Sequence, residues 1–366
     1  MDSSLTLDPP HAAPRASAVP QAPREAIVDD RALLRAAAEL ARDLAAPRPL
    51  VYWADAVGSA LLGYAALAVA VSGAPLGWAL LAAGVAVLAL YRAGSFIHEL
   101  THLKRSLVPG FWLGWNVLVG VPLMVPSFLY EGVHTLHHAR TRYGTIEDPE
   151  YLPLALMKPW TLPLFVVVAA LAPIALLVRF AVLAPLSLVI PPLRRWLVAR
   201  ASGLQINPQF ARRAPEGAFR TMWIALETAT SLWAIGLLTL VVTGVIPLKG
   251  FLIFLAILSG VTVLNQLRTL VAHLWENEGE AMTVTAQYLD SVNVPPPGLL
   301  PALWAPVGLR YHALHHLLPS VPYHALGEAH RRLLAVLDAD SPYHKGNHAG
   351  LLPLVGKIAR STMGAR

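Results

Sequence analysis

The chain contains no cysteine among its 366 residues. This absence excludes disulfide bonds, thiolate metal ligands, cysteine-held iron–sulfur clusters and the CxxCH attachment of haem. Charged residues are also scarce, at 14%, whereas soluble domains carry about 25%. With 55% hydrophobic residues and a mean hydropathy of +0.53, the composition is that of a membrane protein.

The N-terminal residues lack the layout of a signal peptide. Residues 1–50 are rich in Pro and Ala and have no early apolar core. We expect a disordered segment at 1–28, then an amphipathic helix from Asp29 or Asp30 to about Ala46 that lies on the membrane surface. In a membrane protein the net charge of +6 reports topology, so we expect no nucleic-acid partner.

Four long apolar runs predict two transmembrane helical hairpins. Each run is near the ~20 residues that cross a bilayer as a helix. The runs cover residues 54–72, 75–97, 222–246 and 251–268. Nearly all Arg and Lys residues flank the hairpins on the side opposite their tips. The positive-inside rule therefore predicts a multi-pass protein of the cytoplasmic (inner) membrane with both termini and the histidine clusters facing the cytoplasm.

Two other apolar tracts are broken by Pro or Gly. Residues 107–130 separate two histidine clusters that must meet, so we expect this segment to be re-entrant or interfacial rather than to cross once. Residues 160–193 contain Pro173, Arg179 and Pro185. Because the histidine clusters before and after this tract must lie on one side of the membrane, the tract crosses either twice or not at all. We expect an interfacial helical hairpin.

Histidine is the residue whose pattern is least random. Eight of the 14 histidines lie in three short clusters, with i, i+4 or i, i+3, i+4 spacing that puts them on one helical face. The clusters contain His98 and His102; His134, His137 and His138; and His312, His315 and His316. Imidazole is the commonest metal ligand, and one zinc normally takes four donors. Eight imidazoles therefore predict two metals, and ligand softness leaves Zn, Cu, Fe and Ni open.

The order HxxxH, HxxHH and, after a further hairpin, HxxHH resembles the integral-membrane fatty acid desaturase superfamily. The tail of the last box, residues 315–332, is similar to that family as well. The resemblance covers roughly residues 50–340. It implies an all-α fold with about four spans, interfacial helices and a cytosolic helical cap that holds a histidine-rich dimetal site. The chain would then divide into an N-terminal segment (1–50), a desaturase-like domain with its cap (51–345) and a C-terminal tail (346–366).

The resemblance also implies the ligands and the cofactors. The eight box histidines and His273, just after the last membrane helix, would bind two non-haem irons, with O2 as co-substrate. Asn277 would hold a water on one iron, and no catalytic residue is expected beyond the metal site. The first box has three residues between its histidines, whereas acyl-CoA Δ9 desaturases have four. The third box begins with His312, whereas front-end desaturases typically have Gln there. Since no fused cytochrome b5 is visible, the electrons would come from a separate donor such as ferredoxin.

The chemistry expected of such a site is oxidation of an unactivated C–H bond. A methylene has no acidic proton, so a redox metal pair is needed, and zinc has no redox chemistry. We expect a fatty acid desaturase that introduces a double bond into a long acyl chain of a lipid. The alternative is a hydroxylase or ketolase of an acyl chain, sphingolipid, carotenoid or alkane. A non-enzymatic metal transporter would instead place its ligands in mid-membrane.

Carboxylates near the boxes are candidates for orienting the imidazoles. For each of them, we expect a solvated or helix-capping role rather than a contact with a histidine. They are Glu99, Glu131, Glu147, Asp148, Glu276 and Asp290. The remaining histidines with unrelated spacing are expected on the surface or in hydrogen bonds. They include His324, His330, His344 and His348.

Overall fold

The computed structural model describes residues 27–364, and this part of the chain is helical. It contains no β-strand, only three isolated bridges. The fold class predicted from the sequence, an all-α membrane protein, is confirmed. The segment predicted to be disordered lies almost wholly outside the described residues. The helices are α1 (Arg31–Leu44), α2 (Pro49–Val71), α3 (Leu76–His102), α4 (Phe111–Trp115), α5 (His134–His137), α6 (Thr161–Ser187), α7 (Pro191–Arg200), α8 (Gly217–Val242), α9 (Leu248–Leu270), α10 (Val284–Asp290), α11 (Pro301–Trp304), α12 (His312–Leu317), α13 (Leu326–Val336) and α14 (Leu351–Gly364).

Five of these helices, α2, α3, α6, α8 and α9, are long and apolar enough to cross a membrane. Helices α2 and α3 form an antiparallel hairpin in which the Tyr52 hydroxyl donates to Glu99 at 2.5 Å. At the other end, a Cβ on Gly250 would lie 3.8 Å from the Cβ of Val71. The start of α9 therefore lies beside the end of α2, and the tips of both predicted hairpins face the same side.

Helix α6 is one continuous helix, so the hairpin predicted for residues 160–193 is wrong. Pro173 lies inside the helix, and a π-helical turn at Arg179–Leu183 precedes Pro185. In that turn the Ala184 N–H bonds the carbonyl of Arg179, five residues back. A π turn shifts the backbone hydrogen bonds of the helix at the point where proline has no N–H to donate. The prolines therefore distort the helix without ending it.

Parity limits how α6 can lie in the membrane. The rings of His137 and His273 lie 5.1 Å apart, so an even number of crossings separates them. The interval contains three long helices, α6, α8 and α9. Near the end of α6, Arg179 donates to the carbonyl of Ala201, and Leu204 bonds Leu129, which precedes the second box. The carbonyls of Ala170 and Ala169 accept from Ser259 and Thr262 at 2.7 Å, so the middle of α6 packs against the middle of α9. If α8 and α9 are the crossing pair, α6 enters the apolar layer and returns to the side of the histidines.

The segment between the first two boxes is too short to cross, as predicted. Helix α4 and the π turn Asn116–Gly120 together span Phe111–Gly120. Protein packing fixes this segment, since the Trp115 indole donates to the carbonyl of Ala93 at 2.8 Å. No membrane crossing therefore separates His102 from His134.

Helix α1 corrects another expectation. Asp30 caps it by accepting from the Leu33 N–H at 2.9 Å, which is the predicted start. Its apolar stripe of Leu33, Ala37 and Leu40 is buried in one cluster with Leu333 of α13. The amphipathic pattern is therefore satisfied by another helix of the protein rather than by the membrane surface.

Candidate metal centre

Each histidine cluster sits on a helical turn, as its spacing predicts. His98 and His102 occupy the last turn of α3. The second box forms the short helix α5, with His138 as its C-terminal cap. The third box opens α12, where the N–H of Leu314 donates to the buried Asn293 side chain at 2.9 Å. Helix geometry thus places the imidazoles of each box on one face.

His273 is brought to the boxes by the turn that follows α9. The N–H of Leu274 bonds the carbonyl of Asp290 at 2.7 Å, and the N–H of Val292 bonds the carbonyl of Ala272 at 2.9 Å. Trp275 holds a left-handed backbone at φ 61°, a costly conformation for a bulky residue. Its buried indole donates to the carbonyl of Leu270 at 2.7 Å, which fixes this turn.

All nine predicted histidines lie in two neighbouring groups. Within each group, one ring nitrogen of every histidine lies within 4.8 Å of those of the others. The five-histidine group contains His98, His102, His134, His138 and His315. The four-histidine group contains His137, His273, His312 and His316. Each HxxHH box sends its i, i+4 pair to one group and its middle histidine to the other. The two groups therefore share both boxes, and stacked rings of His138 and His316, 4.3 Å apart, join them.

The donor set suits metal cations. Both ring nitrogens of His98 and the Nε2 atoms of His134 and His138 are buried without a hydrogen-bond partner. The Nε2 atoms of His312 and His273 face each other at 3.0 Å. Two imidazole nitrogens in such a pair cannot both donate, and unpaired buried polar atoms are costly. A cation between the rings would satisfy these lone pairs, so the residues present fit a metal in each group.

Carboxylates orient the second box. Asp148, fully buried, lies 2.9 Å from the Nδ1 of His137. Glu150 lies 2.8 Å from the Nδ1 of His134 and also accepts from the Tyr130 hydroxyl. Such contacts fix the ring and its tautomer and leave Nε2 for a metal. Asp148 was among the candidate carboxylates, whereas sequence reasoning missed Glu150, although it follows the same box.

The loop that carries Asp148 depends on a glycine. Gly144 has φ +71° and its N–H donates to the Asp148 carboxylate at 2.8 Å. A Cβ at this position would lie 2.7 Å from the amide nitrogen of Asn277. Glycine therefore allows both the left-handed turn and the close approach.

His273 and His312 have different partners. The Tyr143 hydroxyl lies 2.8 Å from the Nδ1 of His273 and donates to Asp290 at 2.8 Å. Tyr143 therefore links this histidine to a carboxylate that is itself 4.0 Å away. The guanidinium of Arg268 donates to the Nδ1 of His312 at 3.0 Å. This bond leaves the proton of the neutral imidazole on Nε2, so a metal bound to that Nε2 would displace it. Neither Tyr143 nor Arg268 was predicted, because nothing in their spacing relates them to the boxes.

Burial keeps most of these imidazoles neutral, the form that binds metal. First burial and then neighbouring positive groups lower the pKa of six histidines outside the long helices well below 6.5. They are His134, His138, His273, His312, His315 and His316. Burial also lowers the pKa of His137, but Asp148 and then Glu150 outweigh it and raise that pKa. Burial raises the pKa of Glu150 to about 7 and that of Asp290 to about 6.

Three other candidate carboxylates make no hydrogen bond to a box histidine. Glu131 accepts from the Trp112 indole at 2.6 Å, and Glu147 pairs with Arg142 at the surface. Glu99, inside the first box, comes within 3.7 Å of His98. Three of the four histidines predicted to be on the surface or in hydrogen bonds have such partners, whereas the Nε2 of His348 is buried without one. His324 accepts from the N–H of Arg48, His330 pairs with the Tyr343 hydroxyl, and His344 with the carbonyl of Asp338.

Asn277 does not reach the histidines through its amide nitrogen. That nitrogen donates to the carbonyls of Gly144 at 3.0 Å and Glu280 at 2.9 Å. Asn277 thereby braces the loop that carries Asp148. The structure gives no support to a metal-bound water held by this amide.

Long apolar helices and two histidine groups whose residues fit metal ions define the class: a membrane protein with a candidate metal centre. The fatty acid desaturase family matches residues 72–347, and the chain belongs to this family of membrane oxidoreductases. It is similar to the ceramide hydroxylase of Caulobacter vibrioides (strain NA1000 / CB15N). The two are 50% identical over 331 residues, 90% of this chain and 94% of that protein. No solved structure matches the chain significantly.

These comparisons reject the metal-transporter alternative, because the family is one of oxidoreductases. They do not support the expected formation of a double bond. The similar protein from Caulobacter is named a hydroxylase, which favours the alternative that the sequence left open.

Proposed function

We propose that this protein is an O2-dependent membrane hydroxylase that adds a hydroxyl group to a ceramide-type lipid. The observation that carries the proposal is the pair of histidine groups in a chain that is 50% identical to a ceramide hydroxylase over 331 residues. The balanced reaction converts a lipid C–H, O2, two electrons and two protons into a lipid C–OH and water.

Iron is the metal that fits this reaction. The nine imidazoles would hold two irons, His98, His102, His134, His138 and His315 around one and His137, His273, His312 and His316 around the other. Imidazole suits iron as well as zinc or copper, but zinc has no redox chemistry. When bound, the irons would supply the electron transfer that reduces O2 and oxidises an unactivated C–H bond.

The chain's own residues prepare the site for that chemistry. Asp148 and Glu150 hold His137 and His134 in one orientation. The imidazoles of His134, His137, His273, His312 and His315 are at most 3% exposed, so the protein shields them from bulk water. His102, His138 and His316 are only partly buried. The lipid reaches the centre from the bilayer beside α3 and α9, which carry histidines at or just beyond their ends. Electrons come from a separate small carrier such as a ferredoxin.

The orientation in the membrane belongs to the same proposal. The centre and both termini face the cytoplasm, because Arg and Lys residues are abundant on the histidine side and Lys249 is the basic residue at the hairpin tips. Reporter fusions after Thr145 and Gln205 should read cytoplasmic, and fusions after Gly73 and Leu248 should read the opposite side. A fusion after Gln205 that reads on the same side as the hairpin tips would show that α6 crosses the membrane once.

Lipid mass spectrometry tests the reaction. The gene is expressed in a host that contains ceramide, beside a His134→Ala variant as the inactive control. The proposal predicts a ceramide that has gained one oxygen atom, present only with the intact gene. A ceramide or acyl chain that has instead lost two hydrogens would identify a desaturase and would reject the hydroxylase.

A further inference from the structure

Arg268 is a buried cation beside the four-histidine group. It lies in the last turn of α9 and is 8% exposed. Its Nη2 donates to His312, while its Nε is buried without a hydrogen-bond partner. Among residues 27–364 no ion pair joins it to a carboxylate. An unpaired buried charge is strongly destabilising, and a neighbouring metal would repel it further. Packing alone does not account for an arginine here.

A small cavity adjoins this side chain. Arg268 and His312 line it together, and most of the remaining wall is apolar. Its apolar wall contains Val271, Val292, Val294, Trp304 and Leu309. The cavity volume is about 10 Å³, close to the space that one oxygen ligand of the size of water needs. Arg310 also borders it, but its Nε and Nη2 donate to the carbonyls of Val294 and Gly298.

The loop beside this cavity exposes large apolar side chains. Leu299, Leu300 and Leu303 are 85%, 71% and 50% exposed, an arrangement unfavourable in water and favourable at a membrane interface. The carbonyl of Trp304 accepts from the Tyr91 hydroxyl at 3.0 Å. Tyr91 lies about two turns before His98 on α3. The loop 295–304 therefore reaches the membrane side of the histidines, between the bilayer and the cavity.

We propose that Arg268 binds a polar oxygen of the lipid substrate, the amide carbonyl or a hydroxyl of its head, after the lipid enters beneath loop 295–304. This inference rests on the proposed function and adds the residue that recognises the substrate. Because Arg268 also touches His312, an oxygen held on its Nε lies next to the four-histidine group. The oxidised carbon then lies within a few bonds of the polar head rather than in the middle of an alkyl chain.

Equilibrium lipid binding tests this role without turnover. Iron-loaded protein in nanodiscs is titrated without O2 with a fluorescent ceramide and with a matched fluorescent hydrocarbon that lacks the amide and hydroxyl groups. The wild type should prefer the ceramide. Arg268→Gln should weaken ceramide binding about tenfold or more, since it removes a charged hydrogen bond, and should leave hydrocarbon binding and iron content unchanged.

Two further variants sharpen the result. Arg268→Lys keeps the charge and loses the guanidinium fork, so ceramide binding should fall less than in Arg268→Gln. Arg220→Gln removes an exposed arginine at the start of α8 and should change neither titration. The position of the new hydroxyl provides a second readout. It should lie close to the head in the wild type and become scattered in Arg268→Lys.

Several outcomes would overturn the inference. Equal wild-type affinity for both probes would do so, as would unchanged ceramide binding in Arg268→Gln. Loss of iron in that variant would show that Arg268 serves only to position His312. If ceramide is hydroxylated and Arg268→Gln is unaffected, the inference fails and the proposed function stands. If the wild type ignores ceramide but binds a long-chain alcohol through Arg268, the proposed substrate fails and the role of Arg268 stands.

Discussion

The two histidine groups differ in where their members come from. The five-histidine group takes His98 and His102 from the end of α3, a long helix packed into the membrane base. The four-histidine group has no member from the first box and takes His273 from the turn after α9. One group is therefore anchored on a regular helix, and the other depends on a turn that other residues must fix.

Their surroundings differ in the same sense. In the four-histidine group, two imidazoles bond a side chain outside the nine histidines that can support a metal-bound ring, namely His137 with Asp148 and His273 with Tyr143. In the five-histidine group, His134 alone has such bonds among the described residues, to Glu150 and Tyr130. The comparison teaches that many histidines on rigid helices define one site, whereas supporting side chains define the other.

The largest effects should come from the histidines themselves. His273→Ala leaves three imidazoles in the smaller group, so the metal content should fall from about two per chain towards one. His134→Ala leaves four imidazoles in its group and should lose less metal. Both should lower hydroxylation by about two orders of magnitude or more, because both groups serve the reaction. Elemental analysis and product assays measure this, with His344→Ala as control. Equal metal loss in the two variants would show that the two histidine groups do not differ in how strongly they depend on one imidazole.

Asp148→Asn should have the next largest effect. It removes the charge that holds His137, and such changes cost about 10–100-fold in metal affinity. Glu147→Gln is the matched control, because this neighbouring carboxylate is exposed and pairs only with Arg142 at the surface. Metal competition with a chelator compares the two variants. Similar chelator sensitivity would show that Asp148 does not support the four-histidine group.

Tyr143→Phe should have a smaller effect of the same kind. The change keeps the ring and removes one hydrogen bond to His273, worth about 1 kcal/mol, so metal binding should weaken about fivefold. Tyr64→Phe is the control, since its hydroxyl bonds only the carbonyl of Leu118. Unaltered chelator resistance in Tyr143→Phe would exclude this tyrosine from the support of His273.

Asn277→Ala should change stability and leave the metal in place. Its amide makes two hydrogen bonds to loop carbonyls, each worth about 0.5–1.5 kcal/mol. The melting temperature should therefore fall while iron content stays at the wild-type value. If iron is lost while the melting temperature is unchanged, Asn277 would be a metal-site residue, as the family resemblance implied.

The sequence revealed the histidines because their spacing repeats the period of a helix. It also predicted the paired apolar helices, because length and hydropathy can be read from a short stretch of sequence. It did not show which imidazole belongs to which group, because that depends on how α5 and α12 meet. The continuity of α6 was missed since a π turn accommodates its prolines. Tyr143 and Arg268 were missed because their roles arise from contacts between segments far apart in the chain. Glu150 lies only 16 residues after His134, but no helical period relates it to the box.

The most direct test of the account is the fate of labelled dioxygen in purified enzyme. Iron-loaded protein in nanodiscs is given ceramide, reduced ferredoxin and dioxygen carrying heavy oxygen. The account predicts one heavy oxygen atom per product molecule, present in the wild type and absent in His273→Ala. A product that carries a new double bond and no heavy oxygen would contradict the proposed hydroxylation, while the histidine groups and the fold would remain as described.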